Sequence, residues 1–303
     1  MKRNRFEIAV LSFLGTLVVL SLMIPQLVRD ERPPQLLALS VLFRDTESSG
    51  WAIARQGMER AADEFGAELR FLNLTAPNDG EEQAELMLRE IEGGANALVV
   101  VPADSESLAA ALGETAGLCP VVTMESPVEG GAGEVVLDNA QLGRRLAEAL
   151  MEDWTSGPVL LLDTAPSCAG VTARLEAARD ALCQAGITAV RASELPEEGE
   201  AEWVMAFERS ATLRFAERKE AEELSFALYG VGGSTAITAH LERGTISAMA
   251  AWSDYAAGYL AVRQAVEGTR EQGRELEPLP FFILRGEDIY APEYQKLLFP
   301  VTS

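Results

Sequence analysis

The run Ala97-Leu98-Val99-Val100-Val101 limits the fold more than any other stretch of the chain. Gly93-Gly94, a helix-stop signal, comes before it. Pro102 ends it, and Asp104 or Ser105 stands ready to cap the next helix. An apolar run without a polar break suits a strand covered on both faces of a parallel sheet, because a half-exposed strand would alternate. Ligands of open parallel sheets gather at the carboxyl ends of the strands. The loop from Pro102 to Ser105 is therefore expected to form one wall of a binding cleft.

The same unit recurs along the chain. Leu36–Phe43 reads as a strand, and Trp51–Phe65 carries apolar residues at helical spacing and stops at Gly66. Strand Glu68–Leu74, helix Glu81–Glu92, helix Ser105–Ala116, strand Pro120–Met124 and strand Glu134–Leu137 follow, and Asp138-Asn139 opens helix Ala140–Trp154. The alternation then restarts at Pro158–Leu162. It continues through helix Ala169–Ala185, strands Thr188–Ala192 and Trp203–Phe207, and helix Ala211–Lys219. Strand Phe226–Val231, helix Ser234–Arg243, strand Ile246–Ala251 and helix Tyr255–Glu267 complete it. Strand Phe281–Leu284 lies in a tail expected to end in loop. Such alternation implies doubly wound parallel sheets with right-handed crossovers. Two consecutive sets imply an α/β protein of two Rossmann-like lobes with a ligand cleft between them.

A length of 303 residues suits two lobes of ordinary size. The net charge of −22 argues against a nucleic-acid partner, since phosphate neutralisation needs clustered Lys and Arg. With three cysteines, no CxxC and one histidine (His240), no metal site or other cofactor is expected. Cys168 and Cys183 fall at opposite ends of one expected helix, about 22 Å apart at 1.5 Å per residue, too far for a disulfide. They read as buried free thiols, and mid-helix His240 reads as a surface residue.

The amino terminus points to a membrane. Met1–Arg5 is basic, and Ile8–Val28 is 21 residues without a charge, long enough to span a hydrocarbon core. The basic flank predicts a cytoplasmic amino terminus and an extracytoplasmic remainder. Met23–Val28 offers no A-x-A-like cleavage site, which favours an uncleaved signal anchor over a signal peptide. Arg32–Gln35 reads as a short stiff stalk.

Several segments in order resemble the type 1 periplasmic sugar-binding proteins, nearest their ribose-binding branch. Gln56–Gly66 matches the family's first helix. Val101-Pro102-Ala103-Asp104-Ser105 is similar to its "NPxDS", and Val135–Asn139 to its "xxDN". Pro120–Glu125 also fits, and Tyr229–Gly233 resembles its "VGFDG". Arg174 fits the second-lobe helix, and Gly244–Trp252 a strand that crosses between lobes.

The resemblance implies two lobes with parallel sheets joined by a three-strand hinge, after one transmembrane helix. It divides the chain into a stub, anchor and stalk (1–34), lobe one (35–151 plus 253–277) and lobe two (152–252 plus 278–303). It implies hinge closure on a small sugar-like ligand for an ABC importer, with a membrane permease as partner. An alternative use is a sensing module reporting to a membrane receptor such as a histidine kinase.

The resemblance also directs attention to a site. Asp138 stands where the family places a carboxylate that accepts from sugar hydroxyls, and it is equally placed as a helix N-cap. Trp51 matches a stacking aromatic, or packs at a helix start. Glu208-Arg209 replaces an Asn-Asp pair. It offers an acceptor and a donor for hydroxyls, Arg209 alone suits an anionic ligand, and a solvated surface pair is the other reading. Trp252 replaces a glutamine in the hinge strand, Gly232 an aspartate and Val101 an asparagine. Arg44 and Asp45 lie in the first loop after a strand, where function concentrates. Asp104 reads as a cap that also faces the cleft.

No enzyme motif competes. There is no G-x-G-x-x-G opening a helix, no P-loop and no GxSxG elbow. The chain is expected to bind rather than catalyse. A membrane span occupies the position where a repressor of this fold would carry a helix-turn-helix.

Overall fold

The computed structural model describes residues 13–16, 36–46, 49–115, 117–195, 201–270, 272 and 275–299. The expected cytoplasmic stub, nearly all of the expected span Ile8–Val28 and the stalk lie outside these residues. No helix among the described residues is long and apolar enough to cross a membrane.

Residues from Leu37 onward form one compact unit built on two sheets. In the first sheet, β1 (Leu37–Leu42), β2 (Ala67–Leu72), β3 (Ala97–Val100), β4 (Val121–Glu125) and β5 (Gly133–Val136) lie in the order β2-β1-β3-β4-β5. All its pairings are parallel. Every residue of β3 is buried, as its unbroken apolar run predicts. One face of this sheet packs Leu39, Val41, Val99 and Val122 against α1 (Ala52–Phe65) and α8 (Asp254–Thr269). The other packs Leu42, Leu98 and Val100 against α2 (Gly80–Glu92) and α3 (Ser105–Glu114).

The second sheet comprises β6 (Val159–Leu162), β7 (Ala189–Ala192), β8 (Trp203–Ala206), β9 (Ala227–Val231), β10 (Ala248–Trp252) and β11 (Phe281–Leu284), in the order β11-β10-β9-β8-β6-β7. Only β11, at an edge, runs antiparallel. Leu161, Met205, Val231 and Ala250 pack against α4 (Asn139–Asp153) and α5 (Ala169–Gln184) on one face. Leu162, Val204, Leu228 and Met249 pack against α6 (Arg209–Ala221), α7 (Thr235–Glu242) and α9 (Pro292–Leu298) on the other.

The chain crosses between the sheets after β5, after β10 and again before β11. Leu137 and Leu279, on two of these crossings, form a parallel bridge. The helix α1 comes unusually close to α8. A Cβ on Gly57 would sit 2.0 Å from the Tyr255 carbonyl oxygen, and one on Gly258 2.0 Å from that of Ala54. Glycine at both positions is what lets the two backbones touch.

Four expectations need correction. The first lobe was expected to run through Met151, but Leu142, Leu146 and Leu150 of α4 pack in the core of the second sheet. Helix α4 therefore belongs by packing to the second lobe. The tail is not all loop, since Pro292 starts α9 from the position where its missing N–H costs nothing, and Leu298 is buried. His240 is buried rather than on the surface, with Nδ1 3.1 Å from Glu220 Oε1. Cys168 is buried just ahead of α5, whereas Cys183, in its last turn, is exposed; both are free thiols.

Candidate functional site

The carboxyl ends of the strands of both sheets meet in a buried charged cluster. From the first lobe come Arg44, just beyond β1, Glu125 at the end of β4, and Asp254 at the start of α8. From the second come Glu208 and Arg209, just beyond β8 and opening α6, and Arg174 of α5. Each is at most 4% exposed. Six charges at this depth are tolerable only when paired, because desolvation of an isolated ion costs several kcal/mol.

The pairing crosses the gap between lobes. Arg209 donates through Nη2 to Glu125 Oε1, through Nη2 to Asp254 Oδ1 at 3.0 Å and through Nη1 to Asp254 Oδ2 at 3.2 Å. Its Nη1 also reaches the Gly50 carbonyl at 3.3 Å. All these acceptors belong to the first lobe. Arg44 makes the reverse crossing. Its Nη2 lies 3.5 Å from both Glu125 and Glu208, and its Nη1 3.2 Å from the Cys168 Sγ. Glu208 accepts from the Thr164 hydroxyl at 2.6 Å and from Asn78 Nδ2 at 3.4 Å. Arg174 is turned toward its own lobe, donating to Asn139 Oδ1 at 2.7 Å and to the Phe207 carbonyl at 3.0 Å.

Two tryptophans border the cluster. The Arg209 guanidinium carbon lies 3.9 Å from the ring centroid of Trp51 and 5.5 Å from that of Trp252. Trp51 is held by stacking on Phe43, with centroids 5.1 Å apart, and by donating from Nε1 to Asp45 at 2.7 Å. Trp252 also has Arg174 5.3 Å from its ring centroid.

The amino end of α5 closes the gap on one side. Its N-cap, Cys168, provides no side-chain bond to the helix. Instead Ala169 N–H donates to the Ser105 hydroxyl at 3.1 Å, and Gly170 N–H to the Ser126 hydroxyl at 3.1 Å, both in the other lobe. A Cβ on Gly170 would meet Ser126 Oγ at 2.4 Å and the Glu125 carbonyl at 2.8 Å, so only glycine permits the approach.

The electrostatics follow from the count of neighbours. Burial pushes the Glu125 carboxyl up, but Arg209, Arg44 and Arg174 override it and hold it down to about 2. Burial also raises Asp254, and there it prevails over Arg209 and a hydrogen bond from Trp252, because Glu125 adds to it. Against the pull of burial, Arg44 is raised by Cys168, Glu208 and Glu125, and Arg209 by Asp254 and Glu125. Glu125 also sits at φ 64°, a left-handed conformation that costs a non-glycine residue of order 1–3 kcal/mol. Such strain persists only where the surrounding contacts fix it, and here Arg209 and Arg44 hold the side chain.

The structure thus brings together six of the residues singled out from sequence: Arg44, Asp45, Trp51, Glu208, Arg209 and Trp252. Glu208 and Arg209 are not a solvated pair. They are sealed between the lobes. Asp104 and Asp138 are used as caps. Asp104 Oδ1 accepts from the N–H groups of Glu106 and Ser107, and Asp138 Oδ1 from that of Gln141. Asp138 is exposed, and its neighbour Asn139 is the one that joins the cluster, donating to the Glu125 carbonyl at 2.8 Å. Sequence reasoning missed Glu125 and Asp254 as site residues. Their signal was position, one at a strand's carboxyl end and one at a helix start beside a crossing. Among the described residues no His/Cys/Asp/Glu group could hold a metal ion.

A sequence profile described as the periplasmic binding protein domain matches residues 39–208. The chain belongs to the periplasmic binding protein family. This is a family of binding proteins rather than enzymes. No curated protein matches the sequence. Solved structures show the same fold over nearly their whole length. A carbohydrate transporter solute-binding protein from Agrobacterium radiobacter, in complex with D-arabinose, is 15% identical, with a TM-score of 0.75 over 88% of this chain and 99% of that one. A glucose-galactose binding protein from Geobacillus stearothermophilus is 17% identical, with a TM-score of 0.73 over 84% and 99%. A Caulobacter myo-inositol binding protein, bound to myo-inositol, is 18% identical, with a TM-score of 0.70 over 84% and 94%. The fold is that of the type 1 sugar-binding proteins of ABC transporters.

Proposed function

We propose that this periplasmic binding protein is anchored in the membrane by Ile8–Val28, faces the extracytoplasmic side, and closes its lobes on a small sugar-like solute for an ABC importer. The observation that carries the reading is the cluster at the strand ends. Two indoles border a gap lined by acids and arginines from both lobes. Arg44 Nε, Arg174 Nη2 and Arg209 Nε, with Asn78 Oδ1, are buried there without a hydrogen-bond partner among the described residues. Those are donors and an acceptor of the kind that hydroxyls satisfy. The D-arabinose and myo-inositol bound in two structural relatives, and the glucose-galactose binding of a third, support a polyhydroxylated ligand. In this reading residues 35–137, 253–277 and their partners across the crossings move as bodies about the hinge.

A second reading is a sensor module that reports to a membrane receptor such as a histidine kinase. What favours it is the direct pairing of Arg209 and Arg44 across the lobes, which gives the protein interlobe contacts of its own.

Thermal unfolding of the full chain in detergent, against mono- and disaccharides, sugar alcohols, sugar acids and amino sugars, tests the binding reading. A ligand at 100 times its Kd adds about 2.7 kcal/mol and raises the midpoint by several degrees. No shift with any solute at millimolar concentration would overturn the importer reading and leave the sensor.

A further inference from the structure

Arg209 belongs to the second lobe, yet its guanidinium is bound by the first. Glu125 and Asp254 accept from it, the Gly50 carbonyl accepts at its side, and Trp51 covers its face at 3.9 Å. Asp254 engages it in the two-pronged fashion that matches a planar fork to a carboxylate. Aromatic cover plus two carboxylates is a recognition site for a planar cation. The site is assembled from β4, the turn before α1 and the start of α8, three separate elements of one lobe. The arginine that fills it arrives from α6 of the other.

We infer that Trp51, Glu125 and Asp254 form a guanidinium-binding slot that Arg209 occupies in cis, latching the two lobes together. This deepens the solute-binding reading and rests on it for the cleft being the ligand site. It also narrows the ligand. A neutral sugar that displaced Arg209 would leave Glu125 and Asp254 as buried acids with one cation fewer, and unpaired buried charge is strongly unfavourable. A solute carrying its own cationic group, an amino sugar or a guanidino compound, replaces the arginine charge for charge. Opening of the latch and capture of such a solute are then competing uses of one slot.

The test uses the full chain in detergent and guanidinium chloride as probe. Two readouts are followed, tryptophan fluorescence and hydrogen exchange at Ala169 and Gly170, whose amides bond across the lobes. In Arg209→Ala, exchange at these amides is expected to speed up at least tenfold, and low-millimolar guanidinium should slow it again while changing the fluorescence saturably. Sodium chloride at equal ionic strength and urea, which is planar but uncharged, should do neither. The wild-type protein should show no saturable guanidinium response. If Arg209→Ala fails to fold, Arg209→Lys, which keeps a cation but loses the planar fork, decides. It should exchange faster than wild type at the same amides. Wild-type exchange rates in whichever variant folds, or a guanidinium response no greater than that to sodium, would overturn the latch. The outcome is separable from that of the solute screen. A saturable guanidinium effect with no sugar hit keeps the slot and rejects the importer, and a neutral-sugar hit with no guanidinium effect does the reverse.

Discussion

Two buried contacts hold this molecule together, and they are built from opposite materials. Helices α1 and α8 meet inside the first lobe through Gly57, Gly258 and alanines, so closely that backbone touches backbone. The lobes meet each other through Arg44, Arg209, Glu125, Glu208 and Asp254. Both are dry. The apolar contact has no alternative partner, since apolar surface gains only by leaving water. The charged contact does, because every group in it can be satisfied by water or by a polar solute. A domain core needs the first kind of contact, and the opening of the lobes proposed above would need the second.

The largest expected effect comes from removing an acid shared by both arginines. Glu125→Ala takes an acceptor from Arg209 and Arg44 together and should lower stability by about 3 kcal/mol, the scale for breaking a buried ion pair. Denaturant unfolding checks it, and a loss under about 1 kcal/mol would mean that the pairs contribute little. Next is Gly57→Leu, which drives a side chain into the Tyr255 carbonyl. It should cost about 1–3 kcal/mol or more by overpacking and loosen α8 from α1. The two should also differ in kind. Glu125→Ala should raise exchange at the amides of Ala169 and Gly170 while sparing α8, and Gly57→Leu should raise it in α8.

Acid sharpens the same contrast. Glu125 is held at about 2, against an ordinary 4.5 for such a carboxyl. Because its folded value is depressed, its contribution is whole above about pH 4.5 and is lost as pH falls toward about 2. Asp254, raised by burial, takes up its proton before Glu125 does. The stability gap between wild type and Glu125→Gln should therefore close between about pH 4.5 and 2, and a gap constant over that window would contradict the pairing. The smallest effect is at Asp138. As an exposed N-cap its replacement by Ala should cost about 1 kcal/mol, measured by thermal unfolding, with solute binding unchanged. Loss of binding there would move the site toward the exposed end of α4.

Much of the architecture was legible before any coordinates. Ala97–Val101 had to be a doubly covered strand because nothing in it tolerates water. Asp104 and Asp138 announced helix starts, since a capping carboxylate acts within three residues of its own position. The site was legible only in part. Arg44 stood out by its place in the loop after a strand, and Trp51, Glu208 and Arg209 through the resemblance to the sugar-binding family. That Glu208-Arg209 is buried was hidden, because Arg209 finds its acids 84 and 45 positions away.

Helix α4 shows the same limit in packing. Its apolar face is plain in the sequence, but which of two sheets it covers is not, since either offers the same aliphatic surface. Local chemistry, capping, periodicity and unbroken apolar runs therefore let the sequence alone determine the strands, the helices and the two-sheet plan. Only the tertiary structure decided that an arginine of one lobe is bound by the acids of the other. Long-range pairing depends on where the crossings between the two sheets bring the strand ends, and no spacing along the chain encodes that distance.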